Sequence, residues 1–232
     1  DNLKSMAESF FVEGNKMLRV IKEINPNLIF IEGDRGEALN GAIIGAYFNI
    51  PVVHQGGGDM SGSIDNKIRN AITMFANYHL VGNENSYQRL LKIGIPKKLI
   101  FKVGEPGLDD IYAKDFTPKE EIAKKYKLNL EKPILILIQH PNTEEYHNVS
   151  KQIKEILEAI KTLKFQTVAV FSNSDAGGKA INKALKEYAK RLSYLQVYPN
   201  ITRKDFLGLM NVCDAMVGNS SAGIIELPSF KK

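Results

Sequence analysis

The chain has a single cysteine, Cys213, in 232 residues. An intrachain disulfide framework is therefore excluded, and the apolar run around Cys213 marks a buried, inert thiol. No apolar stretch approaches the roughly twenty residues that span a membrane, and no signal peptide opens the chain, so the expected compartment is the cytoplasm. There is no Walker loop, no G-x-G-x-x-G turn, no G-x-S-x-G elbow and no zinc-ligand set. These absences argue against a kinase, a dehydrogenase, a serine hydrolase or a metalloenzyme, and neither metal nor cofactor is expected. No sequence repeat and no low-complexity tract interrupts the chain. Charge of one sign is only slightly in excess, 31 Lys and Arg against 26 Asp and Glu, a net +5. Lysines such as Lys183, Lys186 and Lys190 are dispersed over expected helix faces, the pattern of a solvated surface and not of a nucleic-acid footprint. A mildly positive field would still draw in an anionic nucleotide.

What is present is core-forming material. Hydrophobic residues make up 44% of the chain, enough for two cores. Short apolar runs alternate with amphipathic segments. Strands are expected at 28–32, 51–54, 78–81, 100–103, 134–138, 167–171, 195–198 and 215–217. Helices are expected at 4–24, 37–48, 64–76, 84–93, about 149–163, 179–192 and 204–211. Continuous apolar strands separated by helices imply parallel sheets covered on both faces. The fold class is therefore α/β, with two Rossmann-like, doubly wound parallel-sheet domains, 1–113 and 114–232, facing each other across a cleft. The charged stretch 114–132, with Pro118 and Pro133 near its ends, reads as the connection plus one helix. The first helix has no strand before it, and the chain stops where an alternating fold supplies its next strand. The expectation is the middle of a longer protein, truncated at both ends.

In parallel sheets ligands lie outside the carboxyl ends of the strands, and here those ends carry polar clusters. Gly33-Asp34-Arg35-Gly36-Glu37 reads equally as a capping box, with Asp34 as N-cap, and as a carboxylate base beside an anion-binding guanidinium. His54-Gln55-Gly56-Gly57-Gly58-Asp59-Met60-Ser61-Gly62 holds three consecutive glycines, whose use is close backbone approach or positive φ; His54 alone reads as hydrogen-bonded structure. Asp65 and Arg69 are an i, i+4 pair on the next helix, either an exposed pair worth about 0.3–0.5 kcal/mol or a carboxylate held by its own counter-ion. Gln139-His140-Pro141 and Asn173-Ser174-Asp175-Ala176-Gly177 close two later strands, and His140 could protonate or steady a departing phosphate. Val217 to Glu226 runs from a strand end through Ser220 and Ser221 into a helix whose first turn suits a diphosphate, with Glu226 in reach of a sugar hydroxyl. The alternative there is an ordinary N-cap.

In this order the clusters resemble the hydrolysing UDP-N-acetylglucosamine 2-epimerases of sialic acid synthesis. The matching stretches are Gly33-Asp34-Arg35, the 54–62 loop, Ile64-Asp65 with Ile68-Arg69 and Ala71-Ile72-Thr73, and Val103-Gly104 with Pro106 and Leu108-Asp109. They continue with Gln139-His140-Pro141 and Thr143, Asn173 with Asp175-Ala176-Gly177, and Gly218-Asn219-Ser220-Ser221 with Gly223 and Glu226. The resemblance implies a glycosyltransferase-B-like fold and anti elimination of UDP across C1–C2 of the sugar. Hydration of the resulting 2-acetamidoglucal would then release N-acetylmannosamine. It implies Asp34 and Asp65 as acid/base carboxylates, with Asp59 in the catalytic set and His140 near the leaving phosphate. Ser220 and Ser221 would hold the diphosphate and Glu226 the ribose, while Arg35, His54, Arg69 and Asn173 would contact substrate. The family's loop commonly reads His-x-Glu-Gly-Gly, and its Glu, a third acid/base carboxylate, falls here on Gly56. Gln55 or Asp59 fills that gap, or the protein prefers another UDP-sugar such as a 2,4-diacetamido relative, or it is a weakened enzyme or a UDP-sugar-binding protein. Asn70 stands where a His commonly follows the Arg. A non-hydrolysing epimerase and a glycosyltransferase on the same fold are the rival activities. The expected partners are a UDP-sugar and further copies of the chain, as a dimer or tetramer, with no nucleic acid and no membrane.

Overall fold

The computed structural model describes residues 2–62 and 64–232, the side chains of Thr143, Glu144 and Tyr146 apart. The chain divides into two compact units, one from Leu3 to Glu105 and one running from Pro106 to Lys232. The division falls at Glu105/Pro106, eight residues before the expected boundary. The stretch 114–132 is no free connection, because Ile122, Tyr126 and Leu128 are buried in the second unit's core, as is Ile111 before them.

The first unit is built from α1 (Leu3–Ile24), β1 (Ile29–Glu32), α2 (Gly36–Phe48), β2 (Val52–Gln55), α3 (Ile64–Phe75), β3 (Tyr78–Val81), α4 (Glu84–Lys92) and β4 (Ile100–Lys102). Its sheet has the order β1-β2-β3-β4, all parallel. Ile31, Ala42, Val52 and Ile72 join the sheet to α2 and α3, while Val81, Leu90 and Ile100 seat α4. Asn83 starts α4 by accepting the Ser86 amide at 3.0 Å, an N-cap that the helix's own amides require. The 28–32 run, expected as a buried strand, forms an edge strand of the described sheet in which only Ile31 is buried and Phe30 is 57% exposed.

The second unit contains α5 (Asp109–Tyr112), α6 (Lys119–Lys125), β5 (Ile134–Ile138), α7 (Val149–Leu163), β6 (Gln166–Val170), α8 (Gly178–Ala189), β7 (Leu195–Tyr198), α9 (Arg203–Val212), β8 (Ala215–Gly218) and α10 (Ala222–Ile225). Its parallel sheet has the order β7-β6-β5-β8. Every residue of β5, Ile-Leu-Ile-Leu-Ile, is buried, because both faces are covered. Ile134, Ile136 and Ile138 pack with Ile122, Leu207 and Met210 on one side, while Leu137 packs with Val149, Ile153 and Ile181 on the other. This is the period-two alternation of a strand spent on two hydrophobic layers. Cys213 lies fully buried in the first of these layers, as its apolar setting implied. Asp205 anchors α9 to α6: it is 4% exposed and accepts from Thr117 Oγ1 at 2.8 Å, Lys125 Nζ at 2.5 Å and Tyr126 Oη at 3.0 Å. Among the described residues no helix is long and apolar enough to cross a membrane, and no cluster of His, Cys, Asp and Glu has the makings of a metal site.

Candidate active site

In the first unit, the carboxyl ends of β1 and β2 and the start of α3 converge on Arg69. Its guanidinium donates through Nη2 to Asp34 Oδ2 and through Nη1 to the Asp59 carbonyl at 3.1 Å and to Ser61 Oγ at 3.3 Å. One side chain thus gathers the loop after β1, the loop after β2 and its own helix. The capping-box expectation for Asp34 fails, since the N-cap of α2 is Arg35, with no side-chain cap bond, and Asp34 turns to Arg69. The guanidinium beside Asp34 is accordingly that of Arg69. Arg35 is exposed, and its Nε lies 3.3 Å from Glu37 Oε1. Asp65 is half-buried in the first turn of α3, where the helix's positive end favours an acid, one turn before Arg69.

The three glycines do what close approach demands. Gly56 and Gly58 adopt φ of 89° and 82°, and a Cβ on Gly58 would lie 2.5 Å from the Ser86 carbonyl oxygen. The loop so folded presents Asp59, partly exposed, whose carboxylate accepts from the Ser86 hydroxyl and from Asn83 Nδ2 at 3.4 Å. Of the two residues expected as candidates to fill the gap at Gly56, Gln55 is 2% exposed and Asp59 is partly exposed. His54, expected to touch substrate, is 0% exposed, with Nε2 2.9 Å from the Gly33 carbonyl and Nδ1 3.4 Å from Thr73 Oγ1. It supports the site from below and does not line it. Burial pushes its pKa down, helped by Arg69 and opposed by its bond to Gly33 and by Asp59. Glu105, which follows β4, is a further carboxylate near these loops that the sequence-based set does not include. Its carboxyl is pushed upward by burial, with Asp59 and Glu32 adding like charge. Its place just beyond a strand end was the available signal.

In the second unit the order β7-β6-β5-β8 reverses direction at β5, since the chain moves outward through β6 and β7 and then returns to the other side of β5 as β8. Ligands of open parallel sheets bind at such a switch point, where neighbouring loops part. The loops there are those carrying His140 and Ser220. Asn219 ties them together, its Oδ1 accepting from the His140 amide at 2.8 Å and its Nδ2 donating to the His140 carbonyl at 2.9 Å. Gly218 permits this approach, for a Cβ there would sit 1.8 Å from the Ile138 carbonyl oxygen. His140 Nδ1 accepts from the Asn173 amide at 3.2 Å and neighbours Ser172 Oγ at 3.5 Å. Because a backbone N–H can only donate, the neutral ring carries its proton on Nε2, as a hydrogen-bond donor. Asn173 uses its own side chain locally, Nδ2 to Asp175 Oδ2 at 2.7 Å.

The helix after β8 differs from the expectation. α10 is one turn long, so its dipole is small, and the Ser220 hydroxyl accepts the Ala222 amide at 3.4 Å. Glu226 follows it, 9% exposed, with its carboxylate accepting from Arg203 Nη1. Arg203, absent from the sequence-based site, also donates to the Gly107 carbonyl and lies 3.4 Å from Asp110 Oδ2. The side chain of Thr143 lies outside the described residues.

Two parallel sheets of Rossmann type, each with carboxylates or hydroxyls gathered at the carboxyl ends of its strands, define a doubly wound α/β protein. The family model described as UDP-N-acetylglucosamine 2-epimerase matches residues 2–232, and the chain belongs to that family. It is 35% identical over 226 residues to a UDP-N,N'-diacetylbacillosamine 2-epimerase (hydrolyzing) of Legionella pneumophila, covering 97% of this chain and 60% of that protein. To a UDP-N-acetylglucosamine 2-epimerase of Neisseria meningitidis it is 34% identical over 212 residues, covering 91% of this chain and 55% of the relative. The chain thus spans about 60% of the length of the curated relatives it matches. Among solved structures, UDP-GlcNAc 2-epimerase from N. meningitidis bound to UDP-GlcNAc superposes with a TM-score of 0.75 at 15% identity, over 93% of this chain and 60% of that one. The Methanocaldococcus jannaschii enzyme in complex with UDP-GlcNAc and UDP gives 0.72 at 18%, over 93% and 61%. At that identity the likeness shows the fold.

Proposed function

We propose that the full-length protein is a hydrolysing 2-epimerase that converts UDP-N-acetylglucosamine to UDP and N-acetylmannosamine. The reaction needs a base for the weakly acidic C2 proton, stabilisation of the departing diphosphate and a group that activates water. Asp34 and Asp65 serve as acid/base carboxylates, and Asp59 stands in for the acid that the family carries at the Gly56 position. Arg69 orients Asp34, and Arg35 lies at the edge of the same cluster. In the second unit the Nε2–H of His140 donates to the leaving phosphate, Ser220 and Ser221 hold the diphosphate, Glu226 takes the ribose and Asn173 lines the sugar pocket. The observation that carries this reading is the Asn219 bridge at the switch point of the second sheet. It holds the His140 backbone beside the loop of Ser220 and Ser221, while the Asn173 amide holds the His140 ring through Nδ1.

A second reading concerns the sugar. Relatives at 35% and 32% identity, from L. pneumophila and Campylobacter jejuni, are named hydrolysing 2-epimerases of N,N'-diacetylbacillosamine nucleotides, which favours a UDP-linked 2,4-diacetamido sugar as the alternative substrate. Incubation of the full-length protein with each UDP-sugar, followed by NMR, tests both. Release of UDP with N-acetylmannosamine supports the first, and release of UDP with a 2,4-diacetamido mannose-type sugar supports the second. Formation of UDP-N-acetylmannosamine without free UDP would overturn the hydrolytic assignment.

A further inference from the structure

We propose that His54 is a positioning residue that fixes Asp34 and Arg69 relative to one another, a role that rests on the acid/base assignment of Asp34 above. Three elements meet at its ring. The Gly33 carbonyl, which belongs to the peptide bond leading into Asp34, can only accept, so Nε2 carries the proton and donates to it at 2.9 Å. Nδ1 lies 3.4 Å from the Thr73 hydroxyl, which donates its proton to the Arg69 carbonyl 3.0 Å away, one turn back on α3. Arg69 closes the circuit on Asp34. The ring of contacts therefore runs from Asp34 through Gly33, His54, Thr73 and Arg69 back to Asp34, and His54 is the member that joins β1's loop to α3.

The surroundings hold the imidazole in this use. His54 and Thr73 are both 0% exposed. The loop backbone lies directly on the pair, since a Cβ on Gly57 would be 3.2 Å from His54 Nδ1 and 3.3 Å from Thr73 Oγ1. A substrate atom has no path to the ring, whose nitrogens face the Gly33 carbonyl and the Thr73 hydroxyl. The charged or titratable groups around it are Arg69 from α3, Asp59 from the loop after β2, and His79, its register partner on β3. None of them accepts from the ring, so Gly33 and Thr73 remain its partners. Displacement of a catalytic carboxylate by as little as about 1 Å costs on the order of a hundredfold in rate, which is the effect that a residue joining Gly33 to α3 prevents.

The experiment uses His54→Leu, His54→Gln and Thr73→Val in the full-length protein. His54→Leu removes the Gly33 bond and the Thr73 contact, His54→Gln keeps an amide donor within reach of the Gly33 carbonyl, and Thr73→Val removes the hydroxyl between the ring and the Arg69 carbonyl with little change of volume. We expect kcat of His54→Leu to fall roughly 10- to 100-fold with KM for the UDP-sugar within about threefold of wild type. Thr73→Val should lose roughly three- to tenfold in kcat with the same KM, and His54→Gln should recover most of the loss. Independently of turnover, the slowly exchanging side-chain protons of Arg69, followed by 15N NMR, should exchange faster in His54→Leu and Thr73→Val but not in His54→Gln. Wild-type kcat in folded His54→Leu and Thr73→Val, or a rise in KM alone, would overturn the proposal. Should His54→Leu not fold, Thr73→Val and His54→Gln decide it by the same two readings. If the wild-type protein turns over no UDP-sugar while the Arg69 exchange follows the expected pattern, the proposed reaction fails and the positioning role stands.

Discussion

Arg69 reaches from α3 to the carboxylate of Asp34, 35 positions earlier in the chain, and the two side chains are 10% and 23% exposed. Its second nitrogen holds the Asp59 carbonyl and Ser61, so one guanidinium sets the spacing of the carboxylate-bearing loops after β1 and β2. An exposed ion pair of this kind would contribute little, whereas one shielded and hydrogen-bonded on both nitrogens fixes geometry.

Asp34→Asn and Asp65→Asn in the full-length protein should each lower kcat by at least about a hundredfold while leaving the UDP dissociation constant within about twofold, because the proposed function assigns them acid/base chemistry and assigns UDP to residues of the other unit. Steady-state rates and calorimetric titration with UDP check this. Wild-type turnover in both variants would remove them from the acid/base role.

Glu226→Ala should weaken UDP binding about 10- to 100-fold, the loss associated with a charge-assisted hydrogen bond. Arg203→Met, which frees the Glu226 carboxylate from its partner, should weaken UDP several-fold through lost orientation. Calorimetry on both variants separates this from a purely structural role, in which Tm would fall and UDP affinity would not.

His79 is buried on β3 with Nδ1 lacking any partner among the described residues, and burial, with His54 adding like charge, lowers its pKa from 6.5 to about 4. The unfolded chain therefore binds a proton between those values that the folded chain refuses. Stability is complete above about pH 6.5 and is lost as pH falls toward 4, by at most roughly 3 kcal/mol at about 1.36 kcal/mol per pH unit. Thermal melts should show Tm dropping across that window, and His79→Leu should flatten the drop without lowering Tm at pH 7.

Removal of the Asp205 carboxylate leaves Lys125, Tyr126 and Thr117 without their shared acceptor. Asp205→Ala should cost about 3 kcal/mol of unfolding free energy, and Asp205→Asn somewhat less, as measured by urea denaturation.

Cys213 is fully buried, its Sγ donates to the Met210 carbonyl at 3.4 Å, and burial pushes its thiol up to about 11. Ellman's reagent at pH 8 should therefore leave the folded protein unmodified and titrate one thiol after denaturation.

The alternation of apolar runs with amphipathic segments sufficed to place eight parallel strands and the longer helices, because strand and helix periodicity are local and a strand covered on both faces has to be apolar throughout, as β5 is. Gly56 and Gly58 were legible for the same reason, since a positive φ belongs to a single residue. Sequence order also marked the strand ends as the place for chemistry. Only the tertiary structure decided which charges meet there. Arg35, next to Asp34 in the chain, lies against Glu37, while Arg69 takes the aspartate; Glu226 is held by Arg203; and His54 is buried against the Gly33 carbonyl. Hydrogen-bond partners at a sheet's edge are set by strand order and by the loops that cross between strands. Neighbours in the chain leave a strand end in diverging directions, and residues dozens of positions apart are brought within bonding distance.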